Sequence, residues 1–319
     1  MKEVNLFYLS PNNTGGWVTF TAHLCRAFRA VGVEPNLIRI GTKVEDKFRN
    51  FGYDELYQNF SLHEALILKG PKLIVAAAKK YAEATRKLVE VGAHVVLHDP
   101  TELRNMPELI PERTIVIRRA GLNFIEGARF IRHPYQPFGV PRKVLFQAMS
   151  TSRIDFDKRT HLLLDANRLL PATHQIEIHG FENRLYTRFK IVKNYPEWVQ
   201  SKAAYERAPD AAVRLLATAK LSVDMSAIVG DGGGTQYTTL EAWDAGAVPI
   251  IARDWLRPDD DMIEGENCLA AEDGASIANL IQQTTEEDLE EIREAGRLRL
   301  AKYHSPQVIG QQYVEALGV

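Results

Sequence analysis

The stretch from Asp231 to Glu241, DGGGTQYTTLE, joins three consecutive glycines to a helix start. Gly232, Gly233 and Gly234 let the backbone approach a ligand closely, and a helix start offers unpaired N–H groups and a positive dipole end to a phosphate. Such glycines are costly to order, and a flexible turn without a ligand is the competing reading. Thr235 and Gln236 continue the loop. Tyr237 and Glu241, four apart, share one helix face. Glu241 is too deep to cap the helix, but an ionised carboxylate there has acceptor sites for a pair of ribose hydroxyls; a plain surface glutamate is the alternative.

His98 and Asp99 close the run AHVVLHD. Ligands gather at the carboxyl ends of parallel strands, so this end should open toward a cleft. Adjacent strand residues point to opposite faces, which argues against a hydrogen-bonded dyad. His98 reads as a pocket histidine or a structural one, and Asp99 as a general base. Asp259, Asp260 and Asp261 form an acidic triplet of the D-x-D kind that can hold a metal; following Arg257-Pro258 and preceding a short helix, they read better as a solvated cap. No metal is expected.

Alternating strands and helices position these groups. VNLFYL (4–9), a helix over 17–31 ended by Gly32, and NLIRI (36–40) make a strand, helix, strand opening. A helix over about 72–91 then leads to strands at 93–99 and 114–118, the second of the continuous apolar kind expected when helices cover both faces. HPYQPFGVPRK (133–143) has three prolines and reads as a linker. Beyond it come strands at 144–149, 175–180, 220–225 and 248–252, with helices near 157–170, from Thr238 to Gly246, and over 286–302 and 306–317. Two doubly wound Rossmann-like domains facing a cleft are expected, 1–142 and 143–319, the last helix packing back on the first.

The chain has 319 residues, 45% hydrophobic and 25% charged, which is ordinary globular composition. Cys25 and Cys268 cannot build a disulfide framework and no Cys/His cluster offers a zinc site, so a reducing cytoplasm is expected. No run approaches the ~18 apolar residues of a membrane span, and no amphipathic anchor for a lipid surface stands out. Up to Arg142 there are 20 Lys+Arg against 14 Asp+Glu; beyond it, 19 against 27. The cationic first half hints at a polyanionic partner. Arg118, Arg119, Arg129 and Arg132, interleaved with Phe124, Phe130, Tyr135 and Phe138, suit phosphate contacts with base stacking; the alternative is a solvated interdomain strap whose aromatics cap the core.

The run from Ser222 to Ala252 resembles the carboxy-terminal domain of family 4 glycosyltransferases, with Glu241, Ala242, Gly246 and Pro249 close to their E-A-x-x-x-G-x-P helix. Gly15 and Gly16 before the first helix are similar to that family's first loop. Arg153 with Lys158 resembles the basic pair that holds the donor diphosphate. The resemblance implies a GT-B fold and metal-independent, retaining sugar transfer from a nucleotide donor of UDP- or GDP-sugar type, with no other cofactor. On that logic Glu241 holds the ribose, the glycine loop seats the sugar, His98 touches the donor sugar, and Gly180 either admits the nucleotide base or is a simple turn. Asp99 would suit an inverting enzyme instead. The family pairs two glutamates eight apart; Gly233 stands where the first would be, so Asp231 or the N–H groups of Gly233, Gly234 and Thr235 would replace it.

The cationic half also looks somewhat like viral enzymes, such as those of phage, that glycosylate hydroxymethylated bases in DNA, making double-stranded DNA a candidate acceptor in a host cytoplasm. Rival readings are a sugar-nucleotide epimerase and a catalytically silent sugar-nucleotide- or DNA-binding module. A dinucleotide enzyme fits less well, since SPNNTGGW lacks G-x-G-x-x-G.

Overall fold

A computed structural model describes residues 2–10, 15–41, 53–105, 109–198, 205–206, 208–228, 233–256 and 261–319. The first lobe runs β1 (Lys2–Leu9), α1 (Gly15–Ala30), β2 (Val33–Ile40), β3 (Gln58–Phe60), α2 (Leu62–Ile67), β4 (Lys72–Ala77), α3 (Ala82–Glu90), β5 (His94–Leu97), β6 (Thr114–Val116) and β7 (Arg129–Phe130). Then come β8 (Phe146–Ser150), α4 (Thr160–Leu169), β9 (Ile176–Ile178), α5 (Arg184–Tyr186), α6 (Val192–Asn194), α7 (Ala211–Leu216) and β10 (Ala219–Asp224). The chain closes with α8 (Tyr237–Ala245), β11 (Val248–Ala252), β12 (Leu269–Ala271), α9 (Gly274–Gln283), α10 (Glu286–His304) and α11 (Pro306–Leu317).

Both sheets are parallel throughout, with orders β3-β2-β1-β4-β5-β6-β7 and β12-β11-β10-β8-β9. The strand order reverses between β1 and β4 in one and between β8 and β10 in the other. At such a reversal, flanking connections leave on opposite faces of the sheet and open a crevice at the carboxyl ends. The sequence elements therefore fix where each lobe can receive a ligand.

One expected element is different. The helix over 72–91 is a strand, β4, then a 3-10 turn at Lys79–Tyr81, then α3. Every residue of β4 is buried, between β1 and β5. A short run buried on all sides carries no period to tell strand from helix, and Ile74 and Val75 suit the strand. As expected, residues 133–143 carry neither helix nor strand; the strand expected from 144 begins at Phe146. After α10 the chain returns to the first lobe: Ile309, Tyr313 and Leu317 of α11 join the core of Val4, Leu24 and Phe28. Gly310 allows the contact, since a Cβ there would stand 2.2 Å from the Ala27 carbonyl oxygen.

Candidate functional site

The crevice of the second sheet is lined by the loops that leave β8 and β10. Asp224, the last residue of β10, is buried and accepts from Ser152 Oγ (2.7 Å) and the Ser226 backbone N–H (2.9 Å). The Lys158 ammonium lies 3.6 Å from Asp224 and donates to Ser226 Oγ (2.5 Å). Burial alone would push the Asp224 carboxyl up; Lys158 and the Ser226 and Ser152 hydroxyls outweigh it and hold the group below its usual range. The two loops are zipped by the Ala227 N–H donating to Asp157 O (2.6 Å) and by Arg159, whose Nε donates to Met225 O (2.7 Å) and whose Nη2 donates to Ser226 O (3.0 Å). Arg159 is the one described non-glycine residue with positive φ, +46°. These bonds hold that strained conformation in place. A fixed cation, Lys158, thus stands at the reversal of strand order.

Arg153 sits further out. Its exposed guanidinium donates to Asp155 and Asp157, each at 2.8 Å, so part of its charge is already offset.

Glu241 faces the same crevice from α8. Its half-buried carboxylate accepts no hydrogen bond from the described residues. Burial, reinforced by repulsion from Asp244 and Asp224 and opposed by Lys158, pushes its pKa up to about 8. The helix before it is N-capped by Gln236, whose side chain makes no capping bond; the Thr239 N–H donates to Gln236 O (3.0 Å), leaving the Tyr237 and Thr238 N–H groups to a ligand. Gly233 and Gly234 have φ of +77° and +95°, a conformation glycine alone adopts freely. Gly234 O accepts from Trp255 Nε1 (2.5 Å), and Thr235 Oγ1 donates to Asp261 (3.3 Å). Asp231 and Gly232 lie outside the described residues.

On the first sheet, His98 comes directly after β5. Its Nε2 donates to Val75 O (2.7 Å), and its ring meets Phe20 edge-on, 4.6 Å between centroids. Burial lowers its pKa to about 4, so the ring is neutral and Nδ1 is left as the acceptor. Asp99 accepts from the Thr101 N–H (2.8 Å) and hydroxyl, capping the adjoining 3-10 turn. Glu102 accepts from the His98 N–H (2.8 Å) and from Trp17 Nε1 (3.0 Å), tying this corner to α1. Burial pushes Glu102 up to about 8. Gly15 and Gly16 open α1, and a Cβ on Gly16 would meet nothing within 4 Å.

The linker joins the lobes as a pinned strap. Tyr135, fully buried, stacks on His23 at 4.8 Å and donates to Asp244 (3.0 Å), which also accepts from the Phe138 N–H (2.9 Å). Tyr237 stacks on the other side of this interface, 5.4 Å from His23, and donates to Pro134 O (3.1 Å). Arg132 Nε donates to Asp261 Oδ1 (2.7 Å) and Oδ2 (2.9 Å), and His304 Nε2 lies 3.4 Å from the same carboxylate.

Several expectations need correcting. Asp261 is not a solvated cap: it is 1% exposed and locks the lobes through Arg132. Asp259 and Asp260 fall outside the described residues. The four strap arginines do not present one cationic face. Arg132 is consumed by Asp261, and Arg118 turns toward the second lobe, its guanidinium 5.8 Å from the Trp255 ring. Arg119, which stacks on Phe130 at 4.8 Å, and Arg129 remain exposed. Gly180 has a packing reason to be glycine that needs no ligand: a Cβ there would stand 2.1 Å from the Ser152 carbonyl oxygen. Sequence reasoning missed Ser152, Asp224, Ser226 and Arg159. The signal for Asp224 was a carboxylate ending an apolar strand, as for Asp99. Among the described residues no group of three His, Cys, Asp or Glu side chains could hold a metal.

Residues 159–315 match a family described as glycosyl transferase-like. No curated protein matches the chain by sequence. Among solved structures, HepE of Anabaena in complex with UDP and glucose is similar over 100% of both chains, with 13% identity and a TM-score of 0.75. An alpha-glucosyltransferase in complex with UDP is similar over 100% of both, with 13% identity and a TM-score of 0.73. The alpha-glucosyltransferase in complex with UDP-glucose and DNA containing an abasic site is similar over 99% of both, at 12% identity and a TM-score of 0.71. The likeness establishes the GT-B fold for this chain.

Proposed function

We propose that this glycosyltransferase of GT-B fold takes a UDP-sugar as donor and transfers the sugar, with retention and without a metal, to an acceptor hydroxyl. The observation that carries the reading is the unengaged Glu241 carboxylate beside Lys158 at the strand-order reversal of the second sheet. A carboxylate with free acceptor sites suits a ribose diol, and a fixed ammonium suits the diphosphate. HepE and the alpha-glucosyltransferase, similar in fold, hold UDP. In this reading residues 143–319 form the donor lobe and 1–142 the acceptor lobe.

As the bond from the anomeric carbon to the diphosphate breaks, negative charge grows on the leaving oxygen. Lys158 and the first-turn N–H groups of α8, preorganised in the crevice, stabilise it there, with Arg153 at the rim. The acceptor oxygen forms its new bond on the face the diphosphate leaves, and its proton passes to a diphosphate oxygen. This needs no carboxylate base, in keeping with Asp99 acting as a turn cap. His98 Nδ1 accepts from a sugar hydroxyl, and the Gly233 and Gly234 backbone stands in for the carboxylate missing at that position.

Calorimetry with UDP and a screen of UDP- and GDP-sugars for slow donor hydrolysis test the assignment. Expected are micromolar UDP binding, lost in Lys158→Ala, and release of free sugar. Binding without any hydrolysis would favour a silent module, and conversion of the donor without acceptor an epimerase. Duplex DNA bearing hydroxymethylated bases is a second acceptor reading, favoured by the cationic first half with Arg119 and Arg129 exposed and by the DNA complex of the alpha-glucosyltransferase. Its mark is DNA binding that weakens steeply with salt.

A further inference from the structure

The segment Arg184–Asn194 is helical throughout, with α5 and α6 flanking a π turn at Thr187–Ile191. Only Tyr186 and Ile191 of this segment are buried. They are five residues apart, the step that a π turn, not an α turn, brings onto one face. The opposite face is left to solvent with large apolar side chains on it: Leu185 is 62% exposed, Phe189 62% and Val192 60%. Phe156, 57% exposed, packs edge-on against the buried Tyr186, 4.8 Å between centroids, and adds one more exposed apolar side chain beside the segment.

Cations are interleaved with these apolar groups. Residues 184–194 hold Arg184, Arg188, Lys190 and Lys193 and no acid, although the chain beyond Arg142 carries 19 Lys+Arg against 27 Asp+Glu. None of the four is paired with a carboxylate among the described residues, whereas Arg153, Arg159, Arg168 and Arg253 in the same lobe all are. A solvated helix would not need three bulky apolar residues outward, and a segment that merely binds phosphates would leave Leu185 and Val192 unused.

We propose that this face docks on an anionic lipid surface, the apolar side chains entering the boundary between headgroups and acyl chains while the four cations meet lipid phosphates and carboxylates. That is the pattern of an interfacial amphipathic helix, short of spanning the bilayer. Among the described residues no helix is long and apolar enough to cross a membrane. Because the rest of this lobe is acidic, an anionic surface repels it elsewhere, and the strip sets the orientation. The patch adjoins the cleft: Asn183 Nδ2 donates to Asp155 Oδ1 (2.9 Å), and Asp155 holds Arg153. The inference stands apart from the donor assignment, since docking needs no sugar nucleotide.

The test is co-sedimentation of the full chain with phosphatidylcholine vesicles, with and without phosphatidylglycerol. Two double variants accompany it, L185E with F189E and R184E with R188E; all four positions are exposed, so both should melt with wild type. Wild type should pellet with the anionic vesicles only, less so at high salt, and each variant should lose at least ~10-fold in partitioning. Wild type staying in the supernatant overturns the proposal, as does undiminished binding of L185E with F189E. Duplex DNA binding lost in R184E with R188E, without vesicle association, would assign the strip to nucleic acid instead. Self-association abolished by L185E with F189E, again without vesicle association, would assign it to a second copy.

Discussion

Replacing Glu241 by glutamine separates what its carboxylate does to the fold from what it does for a donor. Burial, with repulsion from Asp244 and Asp224, raises its pKa from 4.5 to about 8. The folded chain therefore holds this proton more tightly than the unfolded one. Stability falls as pH climbs from the ordinary value toward the raised one and levels off above it. Taken whole, the rise would cost ~5 kcal/mol at ~1.4 kcal/mol per tenfold. Water reaching the half-buried group reduces this to ~2 kcal/mol. Glutamine has no charge to desolvate, so Glu241→Gln should melt about 4 °C above wild type near pH ~9 and level with it near pH ~5. UDP affinity by calorimetry near pH ~9, where Glu241 is ionised, should move the other way, falling ~10-fold as a charge-assisted acceptor pair is lost. Equal melting at alkaline pH refutes the electrostatic argument. Undiminished UDP affinity refutes the ribose assignment.

Lys158→Ala should cost ~3 kcal/mol in denaturant unfolding because buried Asp224 loses its counter-charge; adding Asp224→Asn should recover most of that stability but none of the UDP binding. Arg132→Ala should destabilise by ~2 kcal/mol at neutral pH. In wild type, His304 and Arg132 overcome the burial of Asp261 and hold it well below 3.8, so its contribution is present above that pH and lost as pH falls through the depressed value. Acid unfolding followed by circular dichroism should therefore begin at higher pH in the variant. Gly180→Ala, which sets a Cβ 2.1 Å from Ser152 O, should fail to accumulate as folded protein, whereas Gly16→Ala, with nothing within 4 Å, should melt at or above wild type and lose kcat/KM for donor hydrolysis.

The alternation of strands and helices was legible where strands are short and apolar and breaks fall at Gly or Pro, as at Gly32 and Gly246. It failed at 72–91, where burial on all sides erased the period of Leu73 to Ala77. Glu241 stood out in the sequence as a carboxylate on the helix after a glycine loop, and Lys158 only through its resemblance, with Arg153, to a diphosphate-holding basic pair; the structure sets Lys158 3.6 Å from Asp224. Asp224, Ser152 and Ser226 were not legible, because their meeting depends on β8 and β10 being neighbours, and strand order is not written in local pattern. Asp261 was misread for the same reason: its partners, Arg132 and His304, lie 129 residues before it and 43 after it in the chain. Leu185, Phe189 and Val192, four and three apart, keep the helical period; that theirs is the outward face was hidden because the π turn brings Tyr186 and Ile191, five apart, together on the buried one.

The return of α11 to α1 bears on biogenesis. Ile309, Tyr313 and Leu317 complete a core whose other members are nearly all synthesised before residue 132. During translation the early lobe must wait, with a groove along α1 uncovered, until residues 306–317 leave the ribosome. A truncation that removes α11 would therefore harm the part of the protein made first.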